Sequence, residues 1–115
     1  MKVLVLGSGL MGPGAAYAAM SAPDVSHVTL CDVSQAQLDA AGRKLRPLPG
    51  GDKLGLARVD LRDPAAGKAL AAEYDVLVAC LPKTLTAAGV RTAVAARKPL
   101  VAGNYAGLPM PQLNP

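Results

Sequence analysis

A chain of 115 residues that is 51% hydrophobic and 17% charged is the length of one domain, and its composition is that of a globular chain rather than a disordered one. Twelve Lys and Arg against eight Asp and Glu leave a net charge of +4, but the basic residues are scattered and pair only at Arg43-Lys44 and Arg97-Lys98, which is not the clustered run of a nucleic-acid-binding face. Aromatics supply 3%, with no Trp and no Phe, so the core is expected to be built from Ala, Val and Leu, and a base-stacking surface for single strands is excluded.

Met1–Leu6 is a short apolar run cut by Gly7, which reads as a buried parallel strand and is too short for a signal peptide. Leu10–Met20, rich in Ala, reads as a helix that carries Pro13 in its beginning. Val28–Cys31 reads as the second strand. Ser34 then stands where an N-cap belongs, ahead of a helix over Gln35–Leu45 with Leu38, Ala41 and Leu45 on one face. Pro47–Gly51 reads as a loop and Leu54–Leu61 as a third strand nearer an edge. Asp63 and Pro64 suit the cap and first position of a helix over Ala65–Ala72. Val76–Cys80 is the fourth strand, Thr84–Ala96 the fourth helix, Pro99–Ala102 the fifth strand, and 106–115 a proline-rich exit segment after a domain of residues 1–105. Strict alternation of strand and helix predicts an α/β fold of Rossmann type: a single doubly wound parallel sheet of at least five strands.

The chemistry lies at the first strand-to-helix turn. Gly7-Ser8-Gly9-Leu10-Met11-Gly12 fits G-x-G-x-x-G, directly after a strand and directly before a helix, as the dinucleotide-binding turn requires. Gly7 permits the tight turn, Gly9 lets a pyrophosphate approach the backbone, and Gly12 lets the helix pack on the strand. The helix N-terminus then offers N–H groups and partial positive charge to the phosphates. Asp32, 20 positions after Gly12, ends the second strand, where a carboxylate accepts hydrogen bonds from the adenosine ribose and repels a 2′-phosphate. Val33-Ser34-Gln35 carry no Arg, so NAD is expected over NADP. A helix cap is the competing role for Asp32.

Asp60 and Leu61 end the third strand, where acidic or small apolar residues flank the adenine; a plain loop cap is the competing role for Asp60. Cys80, Leu81 and Pro82 lie at the carboxyl end of the fourth strand, where ligands sit in open α/β sheets, and their backbone is expected to line the nicotinamide half. Asn104 and Tyr105 follow the fifth strand and either approach the nicotinamide or pack as a tail. Lys83 is expected to be solvated, and His27, the only histidine, to sit on the surface at the far end of the sheet. No catalytic residue and no metal ligand is assigned, since no His/Cys cluster has ligand spacing. Cys31 and Cys80 make no disulfide framework and read as buried reduced thiols, and no run reaches the about 18 apolar residues of a membrane span. These readings predict a cytoplasmic protein.

Several segments resemble the saccharopine dehydrogenase-like family, including lysine 6-dehydrogenases. Lys2–Gly12 looks like that family's N-terminal fingerprint, and Val28–Asp32 resembles its second strand and acid. Asp75–Pro82 is similar to its D-V-V-I-x-x-L-P segment and Pro99–Tyr105 to its H-L-V-D-x-x-Y strand, with Asn104 where the family often carries an acidic or small residue. The resemblance implies the N-terminal NAD(P)-binding domain of an oxidoreductase acting on a C–N bond of an amino acid, with the substrate and catalytic domain absent from this chain. The alternative is a stand-alone regulatory NAD(H)-sensing module, such as a potassium-transport gating domain. A domain separated from its partner domain is further expected to self-associate as a two-fold dimer through the fifth strand and the Leu108–Leu113 tail.

Overall fold

The computed structural model describes residues 1–7, 12–81 and 86–102. In chain order these form β1 (Lys2–Leu6), α1 (Gly12–Met20), β2 (His27–Asp32), α2 (Gln35–Leu45), β3 (Leu54–Arg58), α3 (Pro64–Ala71), β4 (Val76–Ala79), α4 (Thr86–Ala96) and β5 (Leu100–Ala102), with a single 3₁₀ turn at Gly51–Lys53. The strands form one sheet in the order β3-β2-β1-β4-β5, and every pairing is parallel. This is a doubly wound Rossmann-type parallel sheet, the class expected from the alternation.

Side-chain alternation along the strands divides the core into two layers. Val3 and Val5 of β1 and Val28 and Leu30 of β2 face α1 and α2, meeting Ala16, Met20, Leu38, Ala41 and Leu45. Leu4 and Leu6 face the other way, with Cys31 and Leu77, toward Ala71, Ala88 and Ala93 of α3 and α4. Both faces are covered, which is why the central strands read as unbroken apolar runs rather than alternating ones. The core is mostly small aliphatic side chains, with Met20, Tyr74, Cys31 and Cys80 as apolar exceptions to the Ala-Val-Leu expectation.

Local signals in the sequence place the helix starts. The Ser34 side chain accepts from the Gln37 N–H at the head of α2, and Asp63 accepts from the N–H groups of Ala65 and Ala66 at the head of α3, where Pro64 occupies the first turn. Pro13 falls in the first turn of α1, where its missing N–H has no intrahelical partner to lose.

Beyond differences of one or two residues at strand and helix ends, two features depart from the sequence reading. β3 stops at Arg58 rather than Leu61, because the chain turns at Asp60: its carbonyl accepts from the Asp63 N–H and its carboxylate from the Arg62 N–H, each at 2.9 Å. His27 is not a surface residue placed ahead of β2. It is the half-buried first residue of that strand, with Nε2 3.0 Å from Thr29 Oγ1 and its ring stacked on Tyr74 at 6.3 Å between centroids. Tyr74 donates its hydroxyl to the same Thr29 oxygen at 2.6 Å, so the buried Thr29 is satisfied from both sides. Among the described residues β3 and β5 are the sheet edges, and Val101 of β5 is exposed. Residues 106–115, with the Leu108–Leu113 tail, lie outside the described residues.

Candidate dinucleotide site

The strand order reverses at β1. From there the chain runs outward through β2 to β3, then returns to the other side of β1 for β4 and β5. In open parallel sheets a crevice forms at the carboxyl ends of the strands flanking such a reversal, here the ends of β1 and β4. Backbone bonds tie the end of β1 to those of β2 and β4. The Gly7 N–H donates to the Cys31 carbonyl and the Cys80 N–H to the Leu6 carbonyl, each at 2.8 Å.

Two glycines let the backbone close on itself here. Gly7 has φ of +96°, and a Cβ on it would stand 2.7 Å from the Cys80 carbonyl oxygen. A Cβ on Gly12 would run into the Gly7 carbonyl oxygen, with Leu30 Cδ1 behind it at 3.4 Å. The start of α1 is therefore pressed against the end of β1, and only residues without a side chain permit that approach. Ser8, Gly9, Leu10 and Met11, which complete the expected turn, lie outside the described residues, as do Pro82, Lys83, Asn104 and Tyr105.

Asp32 is the last residue of β2, half-buried, and its carboxylate accepts from the Ser34 N–H at 2.9 Å. That bond holds the carboxylate at the carboxyl end of the sheet, above the turn into α2. Val33 is exposed in that turn. Its carbonyl accepts from Arg58 Nε at 3.1 Å, and the sheet register pairs Arg58 directly with Asp32. Arg58 is thus a charged neighbour of Asp32 that sequence reasoning missed. Its proximity depends on β2–β3 register, and no local signal marks it.

The structure separates the other candidates. Asp60 is held in a fork by Arg62, with Nε to Oδ1 and an Nη to Oδ2 both at 2.9 Å, and the guanidinium lowers its carboxyl below the ordinary value. Leu61 is buried beneath α3 and α4 with Leu81, while Cys80 packs into the opposite layer. The Cys80 and Leu81 side chains are thus taken up by the two core layers.

Both cysteines are free and buried. Burial pushes the Cys31 thiol from an ordinary 9.0 up to about 12, with Asp32 raising it further and a backbone bond from Gly7 opposing, and burial also raises Cys80. A raised native value means the buried thiol's contribution to stability is whole below pH 9 and is lost as pH climbs toward 12, because the unfolded thiol ionises first. In urea unfolding between pH 8.5 and 10.5, native stability should fall with pH more steeply than in Cys31→Ala, by up to about 1.4 kcal/mol per pH unit. Parallel pH profiles for the two proteins would contradict this. No group of three or more His, Cys, Asp or Glu among the described residues could hold a metal ion, and no helix among them is long and apolar enough to cross a membrane.

Comparison with known proteins agrees with this geometry. Residues 3–112 match the family model of the saccharopine dehydrogenase NADP binding domain. Among solved structures, the chain is similar to the L-Glu-forming saccharopine dehydrogenase of Saccharomyces cerevisiae, with a TM-score of 0.71 and 25% identity over 88% of this chain and 21% of that one. A Burkholderia pseudomallei protein described as exported (TM-score 0.59, 23% identity, 89% of this chain and 47% of that one) and an isoflavone reductase (0.61, 16%, 84% and 32%) share the fold. The chain thus spans about a fifth of the yeast enzyme's length and less than half of the Burkholderia protein's. With its glycine-closed turn, acid-ended second strand and strand order, the chain belongs to the saccharopine dehydrogenase NADP-binding-domain family.

Proposed function

We propose that this chain is the cofactor-binding domain of a nicotinamide-dependent oxidoreductase that acts on a C–N bond of an amino acid. Its dinucleotide lies across the carboxyl ends of β1 and β4. The observation that carries the reading is the closure of α1 onto the end of β1 at Gly12 and Gly7, beside the reversal of strand order. The backbone there fits a pyrophosphate, since it has room for no side chain and presents the head of a helix. In this reading Gly7–Gly12 bind the phosphates, Asp32 and Val33 bound the adenosine ribose, and Asp60 and Leu61 lie toward the adenine. The backbone of Cys80, Leu81 and Pro82, with Asn104, flanks the nicotinamide. When bound, the nicotinamide supplies hydride acceptance and donation, and the protein's part is to hold and orient it.

The opposite wall of the cleft and the groups that act on the amino acid are proposed to come from a further domain, as the small share of the yeast enzyme spanned here supports. The match over residues 3–112 supports this reading over a regulatory sensor. The Asp32 carboxylate, facing a ribose hydroxyl, favours NAD(H) over NADP(H) by repelling a 2′-phosphate. Calorimetric titration is expected to show NAD(H) binding more tightly than NADP(H), and Asp32→Ala is expected to narrow or reverse that order. A native protein that prefers NADP(H), or a variant with unchanged discrimination, would overturn the assignment of Asp32.

A further inference from the structure

We propose that Arg58 is a specificity-determining residue that admits the 2′-phosphate of NADP(H) next to Asp32, so that this domain prefers NAD(H) yet accepts both cofactors. The inference rests on the reading above, in which the adenosine ribose meets Asp32. A carboxylate at the end of the second strand normally excludes a phosphorylated ribose unless a cation stands beside it. The residues following Asp32, Val33-Ser34-Gln35, supply none. The sheet supplies one from another strand. Arg58 is the last residue of β3, pairs in register with Asp32, and lies on the same side of the sheet, because paired residues of parallel strands point the same way.

Its side chain is also tethered. Nε donates to the Val33 carbonyl at 3.1 Å, which holds the guanidinium over the β2–α2 turn, and the terminal amino groups remain as a planar set of donors. Such a fork matches a phosphate's geometry. Arg62, in the turn after β3, is by contrast committed to Asp60 through two 2.9 Å bonds. Arg58 is exposed, so it can meet a ligand without rearrangement of the core.

Titration of the full chain at low salt with NAD(H), NADP(H), adenosine 5′-monophosphate and adenosine 2′,5′-bisphosphate tests this. Native protein should bind both members of each pair. Arg58→Ala should weaken NADP(H) and the bisphosphate about 10-fold or more, as for the loss of a hydrogen bond to a charged group, while NAD(H) and the monophosphate change less than about 2-fold. Arg58→Lys should restore part of the loss, since it keeps the charge without the fork. Added salt should widen the monophosphate's lead over the bisphosphate in native protein but not in Arg58→Ala. Equal weakening of both pairs would make Arg58 a merely structural support of the turn and overturn the proposal. So would native protein that binds NAD(H) but no 2′-phosphorylated ligand. Native protein that binds none of the four would overturn the dinucleotide reading itself.

Discussion

Gly12→Ala is expected to raise the dissociation constant for the dinucleotide by at least about 100-fold and to lower stability by about 2–4 kcal/mol, the range of a core overpacking or a strained backbone. The added methyl meets the Gly7 carbonyl oxygen, a backbone atom that cannot rotate away, and Leu30 Cδ1 at 3.4 Å closes the retreat. Relief requires the head of α1 to lift off the end of β1, which opens the turn proposed to hold the phosphates. Gly14→Ala is the internal comparison. Nothing lies within 4 Å of a Cβ at Gly14, so the same change two residues on should stabilise α1 by about 0.5–1 kcal/mol and leave binding intact. Thermal melts and cofactor titrations of the two variants check this. If Gly12→Ala binds like the native protein, the close approach has no bearing on the ligand.

Leu30→Ala should cost about 2–5 kcal/mol, the range for a fully buried leucine emptied into a cavity, and lower the melting temperature by roughly 10–20 °C. Leu30 is wholly buried between β2 and the helices α1 and α2, and it also backs Gly12. Its loss should therefore weaken dinucleotide binding several-fold in addition to its effect on stability. Leu77→Ala provides the contrast. Leu77 is equally buried, but in the layer beneath α3 and α4, away from the turn. Its removal should cost comparable stability with little change in cofactor affinity, measured well below the lowered melting temperature. Equal effects of the two variants on affinity would mean that the layer under α1 has no particular link to the turn.

Much of this molecule is legible in the sequence because the relevant physics is local. Ser34 and Asp63 mark helix starts by capping N–H groups two or three residues away, and the structure finds both where the sequence puts them. Helix α2 spans Gln35–Leu45 in both readings, since its apolar face repeats at helical spacing. The run Met1–Leu6, ended by a glycine and followed by an Ala-rich helix, marks the first strand and the start of a turn at Gly7, which does take a positive φ. Strand alternation with helices was enough for the doubly wound class.

What the tertiary structure alone decided is every relation across strands. The residues that follow Asp32 along the chain, Val33-Ser34-Gln35, include no arginine. The register of β2 with β3 sets Arg58 beside Asp32 across 26 positions of sequence. The same holds for the buried Tyr74–Thr29 bond, which spans 45 positions and draws His27 inward from the surface expected for it. It also holds for the meeting of Gly7 with the Cys80 carbonyl, which depends on β4 lying beside β1 rather than beside β3. Caps, turns and periodicity act through neighbours a few residues apart, and so they are written in the order of residues. The partner of a strand is chosen by the joint packing of both sheet faces, and no short stretch of sequence contains that choice.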